Sequence, residues 1–495
     1  MIRSTRVLAA AGFFPPVSTR DAAPPSGASP NLALPPRRMR SDTLPSTRMP
    51  AAGSRTRGLA GAVSLAIVVY GCSHFTPYYR GGTERYAPWV ADSEVAYRLL
   101  LIGDAGNPDP KGEPALQTLA TQVNRIPDRT TVVFLGDNIY ERGMPLPVPP
   151  QDPATEAAKE AAVEVAKVVL SDVFQTRKQA EDIINAQIAV VRGNHARAIF
   201  VPGNHDWDQF QSGGRERILA FENYLESVRT KDKVDVALLP SGACPGPVSV
   251  PLGDRGELIV VDTQWWLEER AADKATPDNN PSSCPNTTEK TMHDALVDQL
   301  ETAARAGRRA IVVGHHPLVT KGAHGGFVDP WTHLFPAQIA AAYVPFYVEW
   351  MPMPILGSVV VGVRACCSPS AQDIPNGLNK HMRSELLRPM VEAGRHNAAP
   401  LAYAAGHDHD LQVFESVVGP PYLLVSGLGS SAQASAVGSN RRTLFAHSNS
   451  AHPGFMQLDF LDDGRVRLAV IEYAGPDSPP NELYSIFMKP DRGPS

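Results

Sequence analysis

The sequence predicts a four-layer α/β/β/α sandwich, and three observations carry that prediction. Short, uncharged, β-branched runs recur along the chain, and such runs mark strands buried on both faces. Segments with helical spacing separate them over most of the length. The chain then closes on strands alone, ending in a hairpin. Alternation followed by a strand run places sheets between helical layers.

The elements follow in order. Tyr97–Gly103 is the first buried strand and ends at Asp104-Ala105-Gly106. Pro114–Ile126 is helical and leads to the run beginning at Thr130, which closes in Phe134-Leu135-Gly136-Asp137-Asn138-Ile139-Tyr140. In sheets covered by helices, functional groups sit just beyond the carboxyl ends of strands, so Asp137 stands on a strand tip with Tyr140 one turn on. Met144–Pro153 is a Pro-rich loop, and Ala154–Leu170 an Ala/Glu/Lys/Val helix. Arg177–Val191 forms another helix. Ala198–Pro202 is the third strand, ending in Gly203-Asn204-His205-Asp206. A helix at Arg215–Val228 precedes a strand at Glu257–Thr263, whose end carries Asp262. Met292, Leu296 and Leu300 give Thr291–Ala306 helical spacing. Arg309–Gly314 delivers His315-His316-Pro317, and Leu401–Gly406, after a helix at Asn379–Gly394, delivers His407-Asp408-His409. Tyr422–Ser426 is a strand, and Phe455–Leu461 and Val466–Tyr473 flank the turn Asp462-Asp463-Gly464.

Hydrophobic content of 43% and charge of 20% are those of a folded protein. Residues 1–48, rich in Pro, Ser, Ala and Arg, read as a disordered or untranslated leader, with Met49 or Met39 as the start. Residues 49–71 read as an export signal: Arg55 and Arg57 form a basic region, and Leu59–Tyr70 an apolar one too short to span a bilayer. Val69-Tyr70-Gly71-Cys72 resembles a bacterial lipobox, which implies an acylated Cys72 and a membrane-anchored lipoprotein facing the periplasm or cell surface; an uncleaved anchor or a plain secretory peptide is the alternative. Residues 72–93 form a tether, 94–477 the folded domain with insertions at about 145–197 and 326–378, and 478–495 a tail. Removing residues 1–71 takes away nine Arg and two Asp, which moves the formal charge from −5 to −12. So acidic a chain is a poor binder of nucleic acid. Four further cysteines in an exported chain suggest disulfides. Cys244 and Cys284 lie in Pro/Gly/Ser/Asn-rich loops and make the expected pair. Cys366-Cys367 leaves three states open: free, bridged together or paired elsewhere.

The strand tips carry Asp104, Asp137 with Tyr140, Asn204 with His205, His315, and His407 with His409. Carboxylate, amide, phenolate and imidazole together suit a pair of transition metals. Two cations roughly 3.5–4 Å apart clamp a phosphoryl group and activate a hydroxide. Each residue also has a plainer role available: Asp104 as a helix N-cap, Tyr140 as packed core. Asp-x-Gly, Gly-Asp-x-x-Tyr, Gly-Asn-His-Asp, Val-x-x-His and Gly-His-x-His, in that order, resemble the calcineurin-like metallophosphoesterases. More narrowly they look like the purple acid phosphatase branch, especially its small tartrate-resistant type, since Gly106 stands where many relatives carry His and Tyr140 supplies the phenolate. The resemblance implies a first metal on Asp104, Asp137, Tyr140 and His409, and a second on Asp137, Asn204, His315 and His407, iron being paired with iron, zinc or manganese. It places His205 and His324 on the substrate side, suited by a pKa near the working pH. Asp206, grouped with them as catalytic, and Asp408 orient neighbouring histidines, and His316 supports its neighbour. Gly193-Asn194-His195 repeats the tripeptide without the following Asp and is set aside. His293, His333, His381, His396, His447 and His452 are expected at the surface.

The expected activity is metal-dependent hydrolysis of a phosphate monoester by in-line attack of metal-bound hydroxide, with no phosphoenzyme. A phosphodiesterase or a nucleotide/pyrophosphate hydrolase could use the same metals; a surface-tethered interaction protein with an inactive metal site is the non-enzymatic alternative. Between Asp329 and Arg364 lie 34 residues with one formal charge, Glu349. Pro345, Pro352 and Pro354 break this stretch into pieces too short to cross a membrane. It is read either as extra core or as an apolar surface, including Trp350 and Met351, that meets the membrane or the substrate's organic part.

Overall fold

The computed structural model describes residues 76–146, 176–209, 213–271, 284–286, 288–327, 334–335, 351–476 and 478–489. The expected leader, export signal, Cys72, helix 154–170, His333 and Trp350 lie outside them. In chain order the first elements are β1 (Tyr78–Tyr79), β2 (Val95–Ile102), α1 (Pro114–Val123), β3 (Thr130–Phe134), α2 (Arg177–Ile188), β4 (Arg197–Phe200), α3 (Gly214–Asp232) and β5 (Val236–Leu238). Then come β6 (Val248–Leu252), β7 (Gly256–Val260), α4 (Thr263–Ala271), α5 (Glu289–Arg305), β8 (Arg309–Val313), α6 (Pro354–Cys367) and α7 (Gly377–Arg395). The chain finishes with β9 (Ala402–Ala405), β10 (Leu411–Glu415), β11 (Tyr422–Ser426), β12 (Thr443–His447), β13 (Gly454–Leu461), β14 (Val466–Glu472) and β15 (Asn481–Met488).

Among the described residues the strands form two sheets, ordered β15-β14-β13-β2-β3-β4-β5 and β1-β12-β10-β11-β9-β8-β7-β6. Each has a parallel block: β2 to β5 in the first, and β7, β8, β9 and β11 in the second. Side chains of a strand alternate between faces, and here both faces are buried. Leu99, Leu101, Val133 and Leu135 point between the sheets, against Leu258, Val260, Ile311 and Val313. Leu100, Ile102, Val132 and Phe134 point outward to Leu116, Leu119, Ile184 and Phe221 of α1, α2 and α3. On the opposite outer face Ile259, Val312 and Tyr403 meet Leu296, Leu300, Leu386 and Met390 of α5 and α7. The four layers are therefore α/β/β/α. Burial on two faces is why the strands read as unbroken apolar runs, and each buried Leu contributes roughly 1.5–3 kcal/mol. The helices start where side chains cap them: Thr176 accepts from the amide of Gln179, and Thr288 from that of Thr291.

Three expectations are corrected. The proposed tether is attached to the domain, since Tyr78 and Tyr79 pair with Ala446 and Phe445 on a sheet edge. The proposed tail contains β15, which pairs with β14 over its length and buries Leu483, Tyr484 and Met488. His447 is buried beside Glu472 and is no surface residue. Cys244 and Cys284 are disulfide-bonded with Cα atoms 5.6 Å apart, inside the ordinary range. Cys366 and Cys367 are free, exposed thiols at the end of α6. No described helix is long and apolar enough to cross a membrane.

Candidate metal centre

Every tip singled out from the sequence is the carboxyl end of a parallel strand, and the two sheets share the centre. β2, β3 and β4 of one sheet lead into Asp104, Asp137 and Asn204; β8 and β9 of the other lead into His315 and His407. Asp104, Asp137, His315 and His407 are all buried.

Two groups of donor atoms meet at Asp137. In the first, the Tyr140 hydroxyl lies 3.2 Å from Asp104 Oδ1, 3.2 Å from Asp137 Oδ2 and 3.1 Å from His409 Nε2. In the second, His315 Nε2 lies 2.9 Å from Asn204 Oδ1, 3.1 Å from His407 Nδ1 and 3.4 Å from Asp137 Oδ2. The remaining imidazole nitrogens fix the tautomers. His315 Nδ1 donates to the Leu135 carbonyl at 2.8 Å, and His407 Nε2 donates to the Gln372 carbonyl at 2.9 Å. In the neutral rings, the nitrogens that face each other therefore present lone pairs, alongside amide and carboxylate oxygens. Lone pairs converging from several sides fit a cation. So does the spacing, because ligands about 2.1 Å from one ion stand about 3 Å apart at right angles. The residues present fit metal ions, with Asp104, Asp137 and His315 in one cluster of ligand atoms and Asp137 contributing to both donor groups.

The backbone is shaped around these groups. Asp104, Asp137 and His407 adopt positive φ of 60°, 52° and 73°, a left-handed region that non-glycine residues seldom occupy. Strained backbone of this kind clusters at functional sites. Gly203 is required by contact: a Cβ there would lie 2.2 Å from the Asp137 amide nitrogen. The Asp206 carboxylate accepts from the amides of Gly203, Asn138 and Ile139 and from the Asn138 side chain. It thus ties the β3 and β4 loops together, and its hydrogen bonds go to Gly203, Asn138 and Ile139 rather than to the histidine it was expected to orient. Asp408 likewise holds the Thr320 hydroxyl and the His324 amide.

Charges are strongly coupled. Burial opposes ionisation of Asp137, but the imidazoles of His315 and His205 hold its carboxyl well below the usual range. Burial also works against the His315 proton, while Asp137 raises that ring to about 9. Burial, then Asp137 and Asp104, push the Tyr140 phenol well above its usual value. His316 is lowered to about 3 by burial and by His315, and both its nitrogens are engaged, by Thr263 and Gln372. It is neutral and held on both sides, although its ring also stands close enough to His315 and His407 for the three to form one cluster of ligand atoms.

The open side of the centre is bordered by imidazoles. Side-chain exposure is 16% for His205, 26% for His324 and 19% for His409. His205 Nδ1 donates to the Glu141 carbonyl at 2.7 Å, and its Nε2 lies 2.8 Å from the Gln209 amide nitrogen. The His324 ring stacks on His407 with centroids 3.9 Å apart. His195 sits at the surface on Asp128. Sequence reasoning missed Gln209, Gln372 and Asp373, which hold His205, His407 with His316, and His324. Gln209 lies four residues past His205, a helical-turn spacing that could have flagged it; for Gln372 and Asp373 no local signal exists.

Residues 97–334 match the family described as calcineurin-like phosphoesterase. No curated protein matches the sequence. Among solved structures, GAP50, titled the anchor in the inner membrane complex of Plasmodium, aligns at 15% identity and TM-score 0.42, covering 80% of this chain and 90% of that one. A dimetal phosphatase from Danio rerio aligns at 12% identity and TM-score 0.38, covering 80% of this chain and all of that one.

Proposed function

We propose that the calcineurin-like phosphoesterase domain carried by this chain hydrolyses phosphate monoesters at a dinuclear metal centre. The observation that supports this reading is the pair of donor groups sharing Asp137, open on the side where His205, His324 and His409 stand. Asp104, Asp137, Tyr140 and His409 would hold one ion, and Asp137, Asn204, His315 and His407 the other. Bound there, two ions supply an activated water and neutralise phosphoryl charge. The protein's part is positioning. Asp206 fixes the loop that presents Asp137, and the carbonyls of Leu135 and Gln372 set the metal-facing nitrogens of His315 and His407. His205 and His324 face the ester, where an imidazole can bind the phosphate or hold a proton for the leaving group.

A phenolate favours a hard trivalent ion, so iron with iron, zinc or manganese is the proposed content. The Cys244–Cys284 disulfide favours an oxidising compartment, in keeping with the proposed export and anchoring through Cys72. The test is metal content and a visible spectrum of the mature protein, then turnover of a monoester, a diester and a pyrophosphate. The expected result is two ions, a colour abolished by Tyr140→Phe, and preference for the monoester. Diester or pyrophosphate preference would reassign the substrate, and two ions with no turnover of any ester would make the protein a non-catalytic binder.

A further inference from the structure

The stretch that returns from α6 to α7 reaches the metal centre with two consecutive residues. The Gln372 carbonyl accepts from His407 Nε2, and its side-chain oxygen lies 2.5 Å from His316 Nε2. Asp373 Oδ1 lies 2.7 Å from His324 Nδ1. The Asp373 carboxylate is itself held from the other side. Arg364, in the last turn of α6, donates through Nε to Oδ2 at 2.9 Å and through Nη2 to Oδ1 at 3.0 Å, and Ser368 donates to Oδ2 at 2.6 Å. Asp373 is 2% exposed. A buried carboxylate with its lone pairs committed to a guanidinium and a hydroxyl is a rigid acceptor, and it leaves the His324 ring one orientation.

We propose that Asp373, braced by Arg364 and Ser368, is the positioning residue that fixes His324 against His407 with its Nε2 edge toward the ester. The inference rests on the phosphoesterase reading and assigns a catalytic duty to the 326–378 insertion, whose return segment would otherwise be scaffold. Its geometry has the logic of a histidine oriented by a carboxylate. With Nδ1 engaged by Asp373, only Nε2 is available for chemistry, and the stack on His407 sets how far that nitrogen stands from the second ion's ligands. Asp373 touches none of the reacting atoms itself. Without it, His324 keeps its backbone anchor, the hydrogen bond its amide N–H donates to Asp408 Oδ1 at 2.9 Å, but loses the constraint on ring rotation.

The test compares the full chain, loaded with metal, as wild type, Asp373→Ala, Asp373→Asn and Arg364→Ala. Asparagine retains an oxygen for His324 Nδ1, so it separates positioning from mere loss of a side chain. In Asp373→Ala, kcat for an alkyl phosphate, whose poor leaving group needs assistance, should fall about 10–100-fold with KM changed less than about 3-fold. Turnover of 4-nitrophenyl phosphate, with its good leaving group, should fall far less. Asp373→Asn and Arg364→Ala should lie between, with metal content unchanged in all four. A crystal structure of Asp373→Ala should show the His324 ring rotated off His407. Unchanged kcat on both esters, or a ring still stacked on His407, overturns the proposal. A metal-loaded wild type that hydrolyses no ester sinks the phosphoesterase reading instead, and the ring position in Asp373→Ala still decides whether Asp373 positions His324.

Discussion

His407 Nδ1 faces His315 Nε2 at 3.1 Å, and in the neutral rings neither nitrogen carries a hydrogen. Two strands of one sheet thus aim two lone pairs at one point beside the Asn204 oxygen. A proton on His315 serves that point when no ion is bound, since Asp137 outweighs burial and raises that ring to about 9. A cation takes that proton's place and engages all the donors at once, so the centre should act as a stabilising clamp. Manganese, zinc or iron at about 100 times Kd should add about 2.7 kcal/mol to unfolding. His315→Ala and His407→Ala should lose most of that increment. Thermal melts with and without metal check it; a wild-type Tm indifferent to all three ions would contradict the centre.

Asp137 contributes to both donor groups. Asp137→Asn should therefore cost more turnover than any single histidine change, on the order of 10³-fold. Metal analysis should show loss at both positions rather than one. Retention of both ions with full turnover would remove Asp137 from its bridging place.

Much of this was legible in advance because strand tips are local. A β-branched run followed by Gly-Asp-Asn or Gly-Asn-His names both the strand and the residue it presents, and Asp104, Asp137, Asn204, His315 and His407 all lie where such runs end. The supporting partners were not legible, since Gln372 and Asp373 reach His407 and His324 across about 35 and 49 positions of sequence. Asp206 was misread for the same reason: its partners Asn138 and Ile139 sit on another loop. Strands such as β6 were missed because they lie at an edge. Its Ser249 and Pro251 are the exposed members of a pattern that breaks the apolar run.

Asp262 supplies a pH signature. It accepts from Trp207 Nε1 at 2.9 Å and from the Trp265 amide at 3.0 Å, and burial pushes its carboxyl from 3.8 up to about 7. Between those values the folded protein binds a proton that the unfolded chain has released. Stability therefore falls as pH rises through that window, and is unaffected by this group below it. Asp262→Asn should flatten the fall, although Asp206, also raised to about 7, retains part of it. Denaturant unfolding at pH 4 and pH 7 measures the slope; identical slopes in both proteins would disprove the assignment.

One face of α6 and the residue Met351 before it are open to solvent, while Val361 on the same helix is buried. Met351 is 48% exposed, and Leu356, Val359 and Val363 of α6 are 54%, 56% and 50% exposed. Through Arg364 this helix is joined to the His324 side of the centre. Met351→Asp should lower kcat/KM for a long-chain phosphate ester several-fold more than for 4-nitrophenyl phosphate, about 1 kcal/mol per methylene group withdrawn from contact. Equal effects on the two substrates would reduce the segment to scaffold.

The left-handed backbone at Asp104, Asp137 and His407 sets the centre against the durability of its own loops. Glycine at any of the three would relax the chain by roughly 1–2 kcal/mol while deleting a ligand. A library screened for heat resistance in metal-free buffer is therefore less able to keep these residues than one screened with metal present, where the bound ions outweigh the backbone relief. Engineering on this scaffold has to heat the metal-loaded protein at every round, so that retention of these residues and thermal tolerance are selected together.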